Sequence, residues 1–226
     1  MNNNLIKSIL IVSFFVFSPL LKSQDSEQPF MITYIEITPG YEDQVTALLS
    51  QASYYAREHA GNLRYQAFQR LGRPNHFAIF ETWVDQNSMT DHRSQIDFIN
   101  YRETIESVTY SPYDERPSTA IFNTANQGQE GDVYTITHID IIPTAVEEGR
   151  VLISDLVSET RKESGATDIA IMEQNNRRNH FTLIETWTSA QDFQNHVSQE
   201  YAVNFRNELL SRSGSLYDER LYKLID

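Results

Sequence analysis

Asn75-His-Phe-Ala-Ile-Phe-Glu-Thr-Trp83 and Asn179-His-Phe-Thr-Leu-Ile-Glu-Thr-Trp187 repeat one pattern at a spacing of 104 residues and hold the only two tryptophans of the 226-residue chain. Sliding 32–116 onto 136–220 without a gap matches about a third of the positions, among them Pro39/Pro143, Gly61/Gly165, His92/His196, Arg102/Arg206 and Tyr113-Asp-Glu-Arg116/Tyr217-Asp-Glu-Arg220. A chain built this way is two copies of one unit, and the gapless register requires both copies to share a fold.

Each copy opens with a run rich in β-branched and aromatic residues, Phe30–Ile37 and Val133–Ile142, which predicts a strand stopped by Pro39 or Pro143. Apolar residues then recur at helical spacing, Val45, Leu48, Leu49, Ala52, Tyr55 and Ala56 in the first copy and Leu152, Ile153, Leu156 and Val157 in the second. Gly61 and Gly165 stand where a left-handed helix cap is expected. Two strands joined by a tight turn follow, Leu63–Leu71 with Asn75–Trp83 and Thr167–Gln174 with Asn179–Trp187. A short helix, a longer helix and a last strand from Tyr113 or Tyr217 complete each unit. The order β-α-β-β-α-β is that of a ferredoxin-like unit, whose sheet is covered by helices on one face and bare on the other. The second copy is the simplest cover for that bare face, at the high effective concentration of a covalent tandem.

Residues 1–23 place Lys7 before the apolar run Ile9–Phe17 and end near the small Ser23, the order of a secretory signal. Export to the periplasm or medium is therefore expected, with a retained anchor as the alternative. The predicted organisation is a signal over 1–23, units over 30–122 and 131–226, and a polar linker over 123–130. The chain has no cysteine, so disulfides and thiol catalysis are excluded. Its formal charge of −13 becomes −15 without the two lysines of the signal, which disfavours nucleic acid and anionic membranes as partners. No phosphate loop, dinucleotide fingerprint, Gly-x-Ser-x-Gly elbow or metal-ligand spacing occurs, so neither a cofactor nor a metal is expected.

Strand alternation puts Phe77, Ile79, Glu81 and Trp83 on one face, and Phe181, Leu183, Glu185 and Trp187 likewise. A carboxylate amid apolar neighbours needs a donor, and His92 and His196, nine residues beyond each tryptophan, are the expected ones. Two readings fit this pattern. In one, Glu, Trp and His wall a pocket in which Glu orients His as a proton acceptor; in the other, Glu and His merely tie helix to sheet. The opening strand of copy two adds His138 and Asp140 where copy one has Tyr34 and Glu36, which makes copy two the expected active site if the pocket includes that strand. Arg206, like Arg102, is a candidate for binding an anionic or phenolic oxygen, or else a salt-bridge partner.

The frame Asn-His-Phe-x-x-x-Glu-x-Trp, the histidine nine residues later, the aromatic-Arg helix and the Tyr-Asp-Glu-Arg strand resemble the antibiotic biosynthesis monooxygenase domain, closest to its quinol monooxygenase branch. The resemblance spans 30–122 and 131–226. It implies an α+β barrel of two ferredoxin-like units packed face to face, here within one chain, with further homo-oligomerisation left open. It also implies cofactor-free oxidation of a small quinol or phenolic aromatic by O2. The resemblance carries over the Trp, Glu and His of each copy; together with the residue pattern read above, this makes His196, Glu185, His138, His92 and Glu81 the expected catalytic groups. Trp187, Trp83, Asp140, Phe181, Leu183 and Arg206 are the expected substrate-binding ones. A related haem-degrading branch uses a histidine on the second helix, where this chain has Arg102 and Arg206, and is disfavoured. The competing expectation is a non-catalytic barrel that holds a small hydrophobic molecule.

Overall fold

The computed structural model describes residues 28–124, 126 and 128–225; the expected signal lies outside them. Copy one runs β1 (Pro29–Glu36), α1 (Glu42–Glu58), β2 (Asn62–Arg70), β3 (His76–Trp83), α2 (Gln86–Arg93), α3 (Ile96–Glu106) and β4 (Asp114–Asn123). Copy two repeats it as β5 (Val133–Asp140), α4 (Val146–Thr160), β6 (Ala166–Gln174), β7 (Arg177–Trp187), α5 (Ala190–Val197), α6 (Glu200–Leu210) and β8 (Asp218–Ile225), with a 3-10 turn at Pro143–Ala145. Local chemistry sets the short helices: Asp85 caps α2 by accepting from the Ser88 N–H at 2.8 Å, and Ser189 caps α5 by accepting from the Asp192 N–H at 3.1 Å. Gly61 is left-handed with φ 82°, as expected, but Gly165 is not. There the absent side chain matters for space, since a Cβ would fall 2.4 Å from that of Asp192.

Within each copy the strand order is β4-β1-β3-β2 or β8-β5-β7-β6, all antiparallel. The two sheets also join edge to edge, β2 with β8 (Ala67↔Ile225 to Arg70↔Tyr222) and β4 with β6 (Ser118↔Gln174 to Asn123↔Ala170), and so close an eight-stranded barrel. Closure pairs every edge strand and removes the aggregation hazard of a bare edge. The last strand of each unit thus bridges the copies.

The barrel interior is filled by Phe30, Ile32, Phe68, Phe80, Tyr134, Ile136, Met172, Ile184 and Tyr222, all nearly inaccessible to water. Two further cores lie outside it, between each sheet and its own helices. One is built on Ile35, Leu49, Phe77 and Trp83, the other on Ile139, Leu156, Phe181 and Phe205. Space for a ligand therefore has to be sought under the helices.

Candidate functional site

The odd-numbered residues of β3 and β7 face the helices, as alternation predicts, so Trp83 and Trp187 are fully buried under α2 and α5. Each lies against its histidine: His92 stacks on Trp83 at 4.8 Å between ring centroids, and His196 lies 4.6 Å from Trp187. The structure thus brings Trp, Glu and His of each copy together. The expected Glu–His hydrogen bond, however, forms in neither copy.

In copy one Glu81 accepts from the Trp83 indole N–H at 2.8 Å and pairs with the Arg93 guanidinium. Arg93 also reaches Glu115 at 3.3 Å, which Arg102 binds at 2.5 Å. Although burial opposes it, Arg93 is held above its ordinary pKa by Glu81 and then Glu115. Arg93 answers the donor requirement that had pointed to His92. Its neighbour His92 is therefore left over: only 3% exposed, it has no hydrogen-bond partner at either ring nitrogen among the described residues. Burial, then the nearby His59 and Arg93, push its pKa down to about 4, so at neutral pH the ring is uncharged and one nitrogen has a free lone pair.

That orphan imidazole lines a cavity of about 200 Å³ between α1 and α3. Its walls include Ala52, Tyr55, His59, Phe98, Tyr101 and Thr104. His59, on the loop after α1, sits 4.9 Å from His92 ring to ring. Tyr101 and Tyr65 share a hydrogen bond at 2.9 Å beneath it, and burial raises both phenols well above their ordinary pKa. The cavity combines the rings of Tyr55, Phe98 and Tyr101 with two imidazoles, the Asp97 carboxylate and several amide or hydroxyl groups, a lining of the kind that holds a small aromatic molecule.

Copy two has the same parts and a different outcome. Val197 stands where copy one has Arg93, so Glu185 has no cation; it accepts only from the Thr135 hydroxyl at 2.9 Å, and the Trp187 N–H has no partner among the described residues. Burial pushes Glu185 up to about 8, so it keeps its proton at neutral pH. The His196 Nε2 lies 4.0 Å from Glu185, too far for a hydrogen bond. Its Nδ1 is instead occupied by Glu163 at 2.8 Å and the Tyr201 hydroxyl at 3.1 Å. Glu163 is the counterpart of His59, Tyr201 of Asp97 and Leu156 of Ala52. The hollow at this place, also about 200 Å³, is lined by Leu156, Tyr201 and Phe205 and does not include His196.

His138 does not join that pocket, and the expectation that it enriches the copy-two site is corrected. It pairs across the sheet with Thr182, one residue out of phase with Phe181, Leu183 and Glu185, so it faces the barrel interior. There Arg116 of copy one donates to its Nδ1 at 3.0 Å, so its Nε2–H donates to His180 Nδ1 at 3.1 Å. His180 Nε2 lies 3.5 Å from Asp140, which also accepts from Asn179 at 3.2 Å. Burial and then Arg116 hold His138 down to about 4. Asp140 thus belongs to this inner network and not to the pocket. Phe181 and Leu183 are core, and the Arg206 guanidinium is spent on the Val197 carbonyl. His59 and Arg93 were not singled out in the sequence, although both stand opposite a different residue type, Glu163 and Val197, in the repeat alignment. Among the described residues no three His, Asp or Glu side chains are grouped to hold a metal.

A closed barrel of two ferredoxin-like halves, each with a buried Trp–His pair under its helices, defines an α+β barrel protein in which two domains that could pair as a dimer are carried by one chain. The model for the antibiotic biosynthesis monooxygenase family matches residues 30–104 and 132–208, and the chain belongs to that family. One copy-sized stretch is 24% identical over 81 residues to YcnE of Bacillus subtilis, provisionally named a monooxygenase, covering 36% of this chain and 85% of YcnE. Solved structures provisionally named monooxygenases match the two-copy barrel at 11% identity and TM-score 0.74 (Lactobacillus acidophilus; 88% of this chain, 95% of that one) and at 13% and 0.79 (Fusobacterium nucleatum; 89% and 94%). An anthrone oxidase-like protein matches at 10% and 0.65, over 90% of this chain and 93% of that one. These structural likenesses establish the fold.

Proposed function

We propose that the protein is a cofactor-independent monooxygenase that oxidises a small quinol or phenolic aromatic with O2, and that the reaction takes place in the copy-one cavity at His92. Family membership supports the reaction class. The observation that carries the assignment is the buried, unpartnered imidazole of His92 on the wall of an aromatic-lined cavity. A buried polar group without a partner costs stability, and a ligand hydroxyl would satisfy it.

The chemistry follows from these groups. A phenol or an enolised anthrone entering between Tyr55 and Phe98 donates its proton to neutral His92, and the imidazolium so formed holds the anion. That electron-rich anion passes electrons to O2 at the ring carbon, a C–O bond forms, and loss of water leaves the quinone. One oxygen atom enters the product and the other leaves as water, so no outside reductant is consumed. His92 is uncharged at neutral pH and so able to accept; burial disfavours its imidazolium, and the substrate anion formed beside it offsets that cost. His59 packs edge-on against His92 at the cavity wall. Export, expected from residues 1–23, belongs to the same proposal and is tested by finding the mature protein outside the cytoplasm.

The deciding experiment is oxygen uptake with hydroquinones and anthrones, chelator present and autoxidation subtracted. Saturable uptake lost in His92→Ala supports the reading. Saturable ligand binding without uptake would replace it with a binding barrel.

A further inference from the structure

Arg64 in β2 and Asp168 in β6 occupy the same place in the two copies, 104 residues apart, and they touch each other. The Arg64 Nη1 donates to the Asp168 carboxylate at 2.6 Å, with side-chain exposures of 2% and 0%. In a twofold interface a residue that meets its own counterpart lies on the axis, whereas all other contacts come in reciprocal pairs. Such reciprocal pairs are present as well. Arg116 of copy one contacts His138 of copy two at 3.0 Å, and the counterpart Arg220 lies 5.5 Å from the ring centroid of the counterpart Tyr34. The barrel is therefore pseudo-twofold, and Arg64–Asp168 marks its axis.

A position on the axis has a property no other position has. If copy one met a second copy one, Arg64 would face Arg64; if copy two met copy two, Asp168 would face Asp168. Both encounters would place like charges in contact at a buried position, where bulk solvent screens them little. The surroundings are also fitted to the mixed pair. Gln66 accepts from the Arg64 Nε and Phe80 lies under its guanidinium at 4.8 Å, while Thr124, at the start of the linker, donates to Asp168. The copy-two counterpart of Gln66 is Ala170, so an arginine placed at position 168 would lack that acceptor.

We infer that the inner face of each copy is an interaction surface that accepts the other copy and rejects its own kind, with Arg64–Asp168 as the discriminating contact. The kind of partner each face fits is a ferredoxin-like sheet with the opposite charge on the axis. The linker then decides which complementary copy is taken, since it holds one within reach. Buried ion pairs frequently add little to stability relative to apolar substitutes and serve better as devices of specificity. That separates two kinds of substitution, those that make like charges meet and those that remove charge from both sides.

The test uses the full chain and native mass spectrometry. Arg64→Asp and Asp168→Arg each give like charges in every possible pairing of copies, so oligomerisation offers no relief, and each is expected to lower the melting temperature by about 10 °C. The double exchange R64D/D168R should recover at least about half of that loss. A protease site placed between Gly128 and Gly131 lets the folded chain be nicked, unfolded in urea and refolded. The wild-type halves should return as one-with-two pairs only. The neutral variant R64M/D168M should fold and yield one-with-one and two-with-two pairs as well. The inference is overturned if either single variant melts as the wild type does, if the double exchange stays as low as the worse single, or if the nicked neutral variant pairs as selectively as the wild type.

Discussion

Copies one and two share a backbone and a Glu-x-Trp strand, yet the same carboxylate has opposite electrical lives in them. In copy one Arg93 neutralises Glu81, which leaves His92 uncommitted beside a cavity. In copy two Val197 withholds the cation, Glu185 holds its proton, and His196 is taken by Glu163 and Tyr201. A site is thus defined less by which residue types are present than by which of them remain unsatisfied after folding. A histidine whose ring N–H is already bound to a carboxylate, as His196 is to Glu163, is held as part of the scaffold; one with neither nitrogen bound is waiting for something.

That comparison breaks most visibly at Arg93. Arg93→Met would strand the buried Glu81 charge and is expected to cost about 3–5 kcal/mol in urea unfolding. Glu185→Gln, by contrast, should cost under about 1 kcal/mol at pH 7, because that carboxyl is already neutral. If both substitutions cost the same, the two sites are electrically alike and the contrast fails.

Next in size is catalysis. His92→Ala is expected to slow turnover at least about 100-fold, as loss of a general base does, which near 25 °C corresponds to about 2.7 kcal/mol of barrier. His196→Ala should change the rate less than about twofold. A loss that follows His196 would move the active site to copy two.

The pH dependence of stability sharpens the same contrast. Glu185 has a folded pKa of about 8, above its ordinary value, so the folded state binds the proton more tightly and stability falls as pH rises from about 4.5 to 8. Glu185→Gln should remove that alkaline loss and be relatively more stabilising at pH 8 than at pH 4.5. His92 and His138, both lowered to about 4, act in the opposite sense: the unfolded chain takes up their protons first, so stability rises with pH between about 4 and 6.5. Thermal melts across pH 4–8 with and without Glu185→Gln separate these effects.

The smallest effect expected is at the arginine of the second long helix. Arg206→Lys should leave turnover within about twofold, since its guanidinium serves the Val197 carbonyl and no ligand. A large change in KM would restore it to the binding residues.

The repeat and the element order were legible in the chain because they rest on patterns short in range, alternation, helical spacing and turn residues, while the barrel was reached through the family resemblance carried by the repeated Glu-x-Trp motif with its histidine. The odd face of β3 carrying Phe77, Glu81 and Trp83 followed from alternation alone. The place of His138 did not, because which face a β5 residue shares with β7 depends on the register His138↔Thr182, a long-range pairing. The differences that decide the site, Arg93/Val197, His59/Glu163 and Ala52/Leu156, are all present in the repeat alignment. They stay silent there because a substitution has meaning only once its neighbours are known. Sequence determined that this protein is one unit written twice, since local periodicity and covalent order suffice for that. Tertiary structure alone decided which polar groups of each copy are left without a partner. Only packing brings α1 and α3 around His92, sets Glu163 on His196, and places Arg64 against Asp168 on the barrel axis.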